Sequence, residues 1–269
     1  MSVAYAHPQA DIHTAGATSE SDTFIVMTSS LSKLSRSRNL SVALAVIGLF
    51  ITGEYFFRHY GLFWLPIFGT LLVNDMLALF LVYSVLTVGL GVLLRVNWSQ
   101  ELAGVGQALR VGLTSWNFTI WLLTLVLSVV ALPVADRLLW GKVALPMFLS
   151  SHQNPAVWWT SLASPLKAVS LIFVNGFFVP IAEEYLWRGL VQARLMDVFS
   201  TPFAVGLTAI LFSFKHALVD ASMGRFLTLI AFGVICGIVA HRKDWWRSAA
   251  LHIFVNTAFT VMGLILGLE

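Results

Sequence analysis

Seven stretches of this chain, near 40–57, 73–94, 112–134, 166–187, 202–219, 226–241 and 247–268, meet or approach the length of a bilayer crossing, which takes roughly 17–25 mostly apolar residues. In hydrocarbon no water satisfies a bare amide, so such runs must close their backbone hydrogen bonds internally, as helices. The chain therefore reads as an all-α polytopic membrane protein with about seven transmembrane helices. The stretch 62–72 is apolar but short and holds Pro66 and Gly69; it is a candidate eighth span, or a re-entrant or interfacial piece. Composition agrees, because 58% of the 269 residues are hydrophobic and 11% are charged, against roughly 25% charged in a soluble domain.

Residues 1–39 are set apart by Ser, Thr, Ala and His without a sustained helical period and are expected to form a mostly disordered tail. Residues 40–269 read as one transmembrane domain, with no internal repeat. The first apolar run begins at Leu40 behind Lys33, Arg36 and Arg38. That is late for a cleaved signal peptide and fits a signal anchor or first span. With the N-terminus cytoplasmic, ten of the sixteen Lys and Arg fall on the cytoplasmic side, the distribution that the positive-inside rule favours. The expected location is the cell (inner) membrane.

The net charge of +3 belongs to helix flanks. Membrane lipids are thus the implied partner, and nucleic acid is not. Trp98, Trp140, Trp158, Trp159, Trp245 and Trp246 lie near segment ends, as in an interfacial aromatic belt. The segment 96–109 reads as an interfacial amphipathic helix. The single cysteine, Cys236, excludes an intrachain disulfide and a Cys-rich metal site.

Three polar clusters interrupt the apolar runs of the C-terminal half: Glu183-Glu184-Tyr185-Leu186-Trp187-Arg188, Phe212-Ser213-Phe214-Lys215-His216 and His252-Ile253-Phe254-Val255-Asn256. An ionisable side chain at the centre of a span costs on the order of 2.5–3.5 kcal/mol on insertion scales and is a functional-site candidate for that reason. Pro180, three residues before Glu183, should bend its helix and free a carbonyl for a polar partner. Glu184 and Arg188 are four apart, with the acid first, so they share a helical face as an ion pair. Glu183 is turned about 100 degrees from Glu184 and is expected to face an inner cavity. The Phe212 ring can pack against His216 four residues on. His252 and Asn256 repeat that spacing and offer two donors to a developing oxyanion; the same pair could also serve as interhelical glue.

A zinc set of Glu183, His216 and His252 has suitable residue types, but no His-Glu-x-x-His pair places two ligands on one helix. No cofactor is implied, and a metal such as zinc stays open on these residues alone. The order Glu-Glu-x-x-x-Arg, Phe-x-x-x-His and His-x-x-x-Asn on separate apolar helices resembles the CAAX-protease and bacteriocin-processing family of intramembrane endopeptidases, which includes the type II CAAX prenyl proteases. The resemblance covers residues 163–268, a catalytic core in the C-terminal four helices. It implies a glutamic peptidase in which Glu183 and His216 activate water, His252 and Asn256 stabilise the oxyanion, and Glu184 with Arg188 forms the supporting ion pair. The implied substrate is a membrane-associated or C-terminally anchored peptide or protein.

A non-catalytic membrane scaffold or immunity protein of the same fold is the alternative. A transporter using these residues as a proton relay finds no support in an inverted hydropathy repeat. Elsewhere, Glu54 beside Arg58 reads as a snorkelling interfacial pair, Asp75 as the start of a span and Asn175 as a packing residue or one that bonds across helices near the site. His241 joins Arg242 and Lys243 in a basic loop suited to anionic lipid headgroups.

Overall fold

The structure is a computed structural model describing residues 20–60, 71–115, 117–140, 164–219, 223–240 and 244–266. It divides into two compact units, Met1–Arg38 and Asn39–Glu269. Among the described residues every regular element is helical, in eight continuous helices: α1 (Glu20–Tyr60), α2 (Leu71–Leu93), α3 (Trp98–Thr114), α4 (Asn117–Trp140), α5 (164–196), α6 (Thr201–Val219), α7 (Phe226–Val239) and α8 (Trp245–Leu266). Helix α1 starts at Glu20, inside the stretch expected to be mostly disordered; residues 1–19 lie outside the described residues. So do residues 61–70, which hold most of the candidate eighth span, His241, Arg242, Lys243 and the side chains of Arg58 and Asp75.

The all-helical membrane class holds, and the described residues do not confirm the exact count of seven spans. Among the described residues, four helices are long and apolar enough to cross a membrane: Asn117–Trp140, Ala168–Met196, Thr201–Val219 and Trp245–Ile265. Phe80–Leu93 and Trp98–Thr114 pass together but are bent by 119°, giving a broken fifth span or a re-entrant loop. Phe226–Val239 has 14 residues, about 21 Å of helix, short of a hydrocarbon core of about 30 Å.

The bend between α2 and α3 has a local cause. Arg95 takes a left-handed φ of 56°, reversing the chain, and the Asn97 side chain then caps α3 by accepting from Gln100 N. Trp245 Nε1 donates to Glu101 Oε2 at 2.9 Å, tying α3 to the start of α8.

Helix α5 is central. Its inner face buries Leu186, Trp187, Leu190, Val191 and Leu195, while Leu138, Ile265 and Val85 elsewhere are 70–81% exposed. So apolar an exterior suits lipid, since only the bilayer makes such exposure inexpensive. Arg188 Nη2 and Gln192 Nε2, one turn apart on α5, reach Gly233 O at 3.1 Å and Gly237 O at 2.9 Å on α7. Those glycines are required by close approach: a Cβ on Gly233 would lie 3.0 Å from Ala209 Cα, and one on Gly237 would lie 2.7 Å from Gln192 Oε1. The first turn of α7 is held by the buried Asp136 of α4, whose carboxylate accepts Leu227 N, Thr228 N and Thr228 Oγ1 at 2.7–2.9 Å. Orphan amides of a helix start inside a bilayer need such a partner.

Candidate active site

Two widened turns with π-type hydrogen bonding, Ile172–Phe178 and Tyr185–Gln192, flank the short α-helical segment Val179–Glu184. Turns of this kind recur at functional sites. Pro180 has no N–H for the carbonyls four and five residues before it, Gly176 and Asn175. Both are taken by α8: Asn256 Nδ2 donates to Asn175 O at 3.1 Å and Thr257 Oγ1 to Gly176 O at 3.2 Å. Asn175 also donates from Nδ2 to Thr260 Oγ1 at 3.1 Å, so it joins α5 to α8 through both side chain and carbonyl. This is the cross-helix bonding that the sequence offers beside a plain packing role.

The adjacent glutamates point into different surroundings. Glu184 is fully buried. Its Oε2 lies 3.2 Å from Arg188 Nε and accepts Ser248 Oγ at 2.6 Å, and its Oε1 lies 2.9 Å from His252 Nδ1. The Arg188 guanidinium also stacks over Phe212, 4.8 Å from the ring centroid.

Glu183 is 2% exposed and lines a cavity of about 180 Å³ together with Glu54, Tyr83, His216, His252 and Asn256. Its Oε1 accepts Tyr83 Oη at 2.7 Å and Lys215 Nζ at 2.7 Å, with His216 Nε2 at 3.5 Å. Its Oε2 lies 4.0 Å from His252 Nε2. Glu183 thus faces an inner cavity, and the Lys215 ammonium sits against its Oε1.

Both histidines have an aromatic edge against them. Phe212 meets His216 and Phe232 meets His252, each at 4.8 Å between centroids and near perpendicular. In His252 the Nδ1 must carry a proton to satisfy the Glu184 carboxylate, which only accepts. Its Nε2 is then an acceptor in the neutral ring and a donor once the ring takes a second proton. Asn256 must turn its NH₂ toward the Asn175 carbonyl, which leaves one N–H beyond that bond.

Three participants escaped the sequence reading. Glu54 of α1 is buried, with Oε2 2.7 Å from Lys215 Nζ; the snorkelling role assigned to it is wrong. Tyr83 of α2 lies 3.0 Å from Glu54 Oε2, and its hydroxyl oxygen accepts from Lys215 Nζ at 3.1 Å. Lys215 had been noted only as part of its cluster. A signal was available: a lone Lys and a lone Glu within separate apolar runs each need an opposite charge, and each is the other's simplest partner.

Among the described residues no group of three or more His, Cys, Asp or Glu is arranged to hold a metal ion. A cation bound through Glu183 Oε1 with the two histidines would have to share that oxygen with the Lys215 ammonium.

Fold and site together define a polytopic membrane protein with a buried charged network around a small cavity. Residues 164–258, about a third of the chain, match the family model described as "Type II CAAX prenyl endopeptidase Rce1-like", a likeness to the same family that the motifs of this region resemble. A search of curated proteins and a search of solved structures each gave no match.

Proposed function

We propose that the protein is an intramembrane endopeptidase that hydrolyses a peptide bond near the C-terminus of a membrane-associated protein or peptide. Glu183 is the general base for water and His216 its proton partner. The remaining N–H of Asn256 and the protonated Nε2 of His252 meet the oxyanion. Glu184 and Arg188 brace the helix that carries the base. The observation that carries this reading is the convergence of Glu183, His216, His252 and Asn256, from three helices, on one cavity. We place the chain in the cell membrane with its N-terminus cytoplasmic, in contact with lipid and without a nucleic-acid partner.

The test compares the C-termini of membrane peptides from cells carrying the wild type or Glu183→Gln. Loss of a set of truncated C-termini in the variant is expected. Matching profiles with normal accumulation of the variant would end the catalytic reading and leave a membrane scaffold.

A further inference from the structure

The family match begins at residue 164, yet two groups that shape the surroundings of Glu183 come from far upstream, Glu54 on α1 and Tyr83 on α2. They meet at Lys215, which is 0% exposed. An ammonium has three N–H donors and no acceptor, and Lys215 has three oxygens within reach: Glu54 Oε2 at 2.7 Å, Glu183 Oε1 at 2.7 Å and Tyr83 Oη at 3.1 Å. Its charge also lies 5.0 Å from the centroid of the Phe50 ring, a favourable face for a cation.

We propose that Lys215, held by Glu54 and Tyr83, is the positioning residue of the site: it ties down Oε1 of Glu183 and leaves Oε2 to the attacking water. The inference rests on Glu183 acting as the base. A carboxylate on a flexible stem can present either oxygen. Here Lys215 and Tyr83 both engage Oε1, so rotation about the last side-chain bond would break two short hydrogen bonds. The described residues make no hydrogen bond to Oε2, which faces His252 Nε2 at 4.0 Å. Lys215 is also the residue before His216, so one turn of α6 sets the base and supplies its partner.

Packing alone gives no reason for such a cluster. A buried ion pair replaced by apolar groups of similar shape is often neutral or stabilising. The upstream helices therefore complete the site: the matched segment holds Lys215 but lacks the Glu54 and Tyr83 that fix it.

The test measures the rate at which truncated C-termini appear in membranes, per molecule of folded protein, for the wild type, Glu54→Gln/Lys215→Met, Lys215→Arg, Tyr83→Phe and Glu183→Gln. The double variant removes both partner charges, so it should accumulate while its rate falls about 10²-fold, the effect of a misplaced reacting group. Lys215→Arg restores a cation and should recover most of the rate, a rescue that a packing role would not require. A double variant working at the wild-type rate would overturn the inference while Glu183→Gln stays inactive. If Glu183→Gln itself cleaves normally, the endopeptidase reading falls first. Should the double variant fail to fold, Tyr83→Phe decides: it should be several-fold slower per folded molecule, and an unchanged rate would sink the proposal.

Discussion

Glu183 and Glu184 are neighbours in the chain, equally buried, and differ in almost everything else. Around Glu184 every contact closes inward: Arg188, Ser248 and His252 use both oxygens, and all of them lie within the family-matched segment. Around Glu183 one oxygen is tied to groups from α2 and α6, while the other looks across a cavity to an imidazole. A rotation of one residue on a helix separates a carboxylate closed in by three partners from one that faces a cavity. The comparison also shows that burial alone does not mark a catalytic acid. What distinguishes Glu183 is an oxygen left without a hydrogen bond from the described residues, beside a space that a substrate could enter.

Substitutions can sharpen or break that contrast. The largest effect is expected from Glu183→Gln, which keeps shape and removes the base: peptide cleavage should fall by about 10²–10⁴-fold with abundance near the wild type, read by mass spectrometry and by immunoblot. His252→Ala touches both glutamates and should lower both readouts, cleavage by about 10²-fold and melting temperature in detergent as well. If it altered only one, the two shells would be less connected than the 2.9 and 4.0 Å distances imply.

Glu184→Ala should act on stability first. Stranding Arg188 in the interior costs about 3–5 kcal/mol, and most of the protein should be lost from the membrane, while any folded remainder keeps some cleavage. Ser248→Ala removes one hydrogen bond to the charged Glu184 and should cost about 1.5–3 kcal/mol, read as a lower melting temperature, with the cleavage rate per folded molecule unchanged. A rate that fell with Ser248→Ala would move Glu184 out of the bracing role.

Local patterning carried much of this architecture into view. The spacing of Glu184 and Arg188 and of Phe212 and His216 became contacts because four residues make about one helical turn. Pro180 signalled a carbonyl in need of a partner, and α8 supplies it through Asn256 and Thr257. Non-local pairing stayed hidden. Glu54 and Lys215 are separated by about 160 residues, and nothing local says which helix faces which; Glu54 was accordingly assigned to a nearby Arg.

The central claim is that Glu183 directs water onto a peptide bond. Membranes carrying the wild type or Glu183→Gln, matched for folded protein, can be incubated in ¹⁸O-labelled water and their newly formed peptide C-termini read by mass spectrometry. The account predicts ¹⁸O-labelled termini with the wild type and none above background with Glu183→Gln. Labelled termini forming at the same rate with both would contradict it.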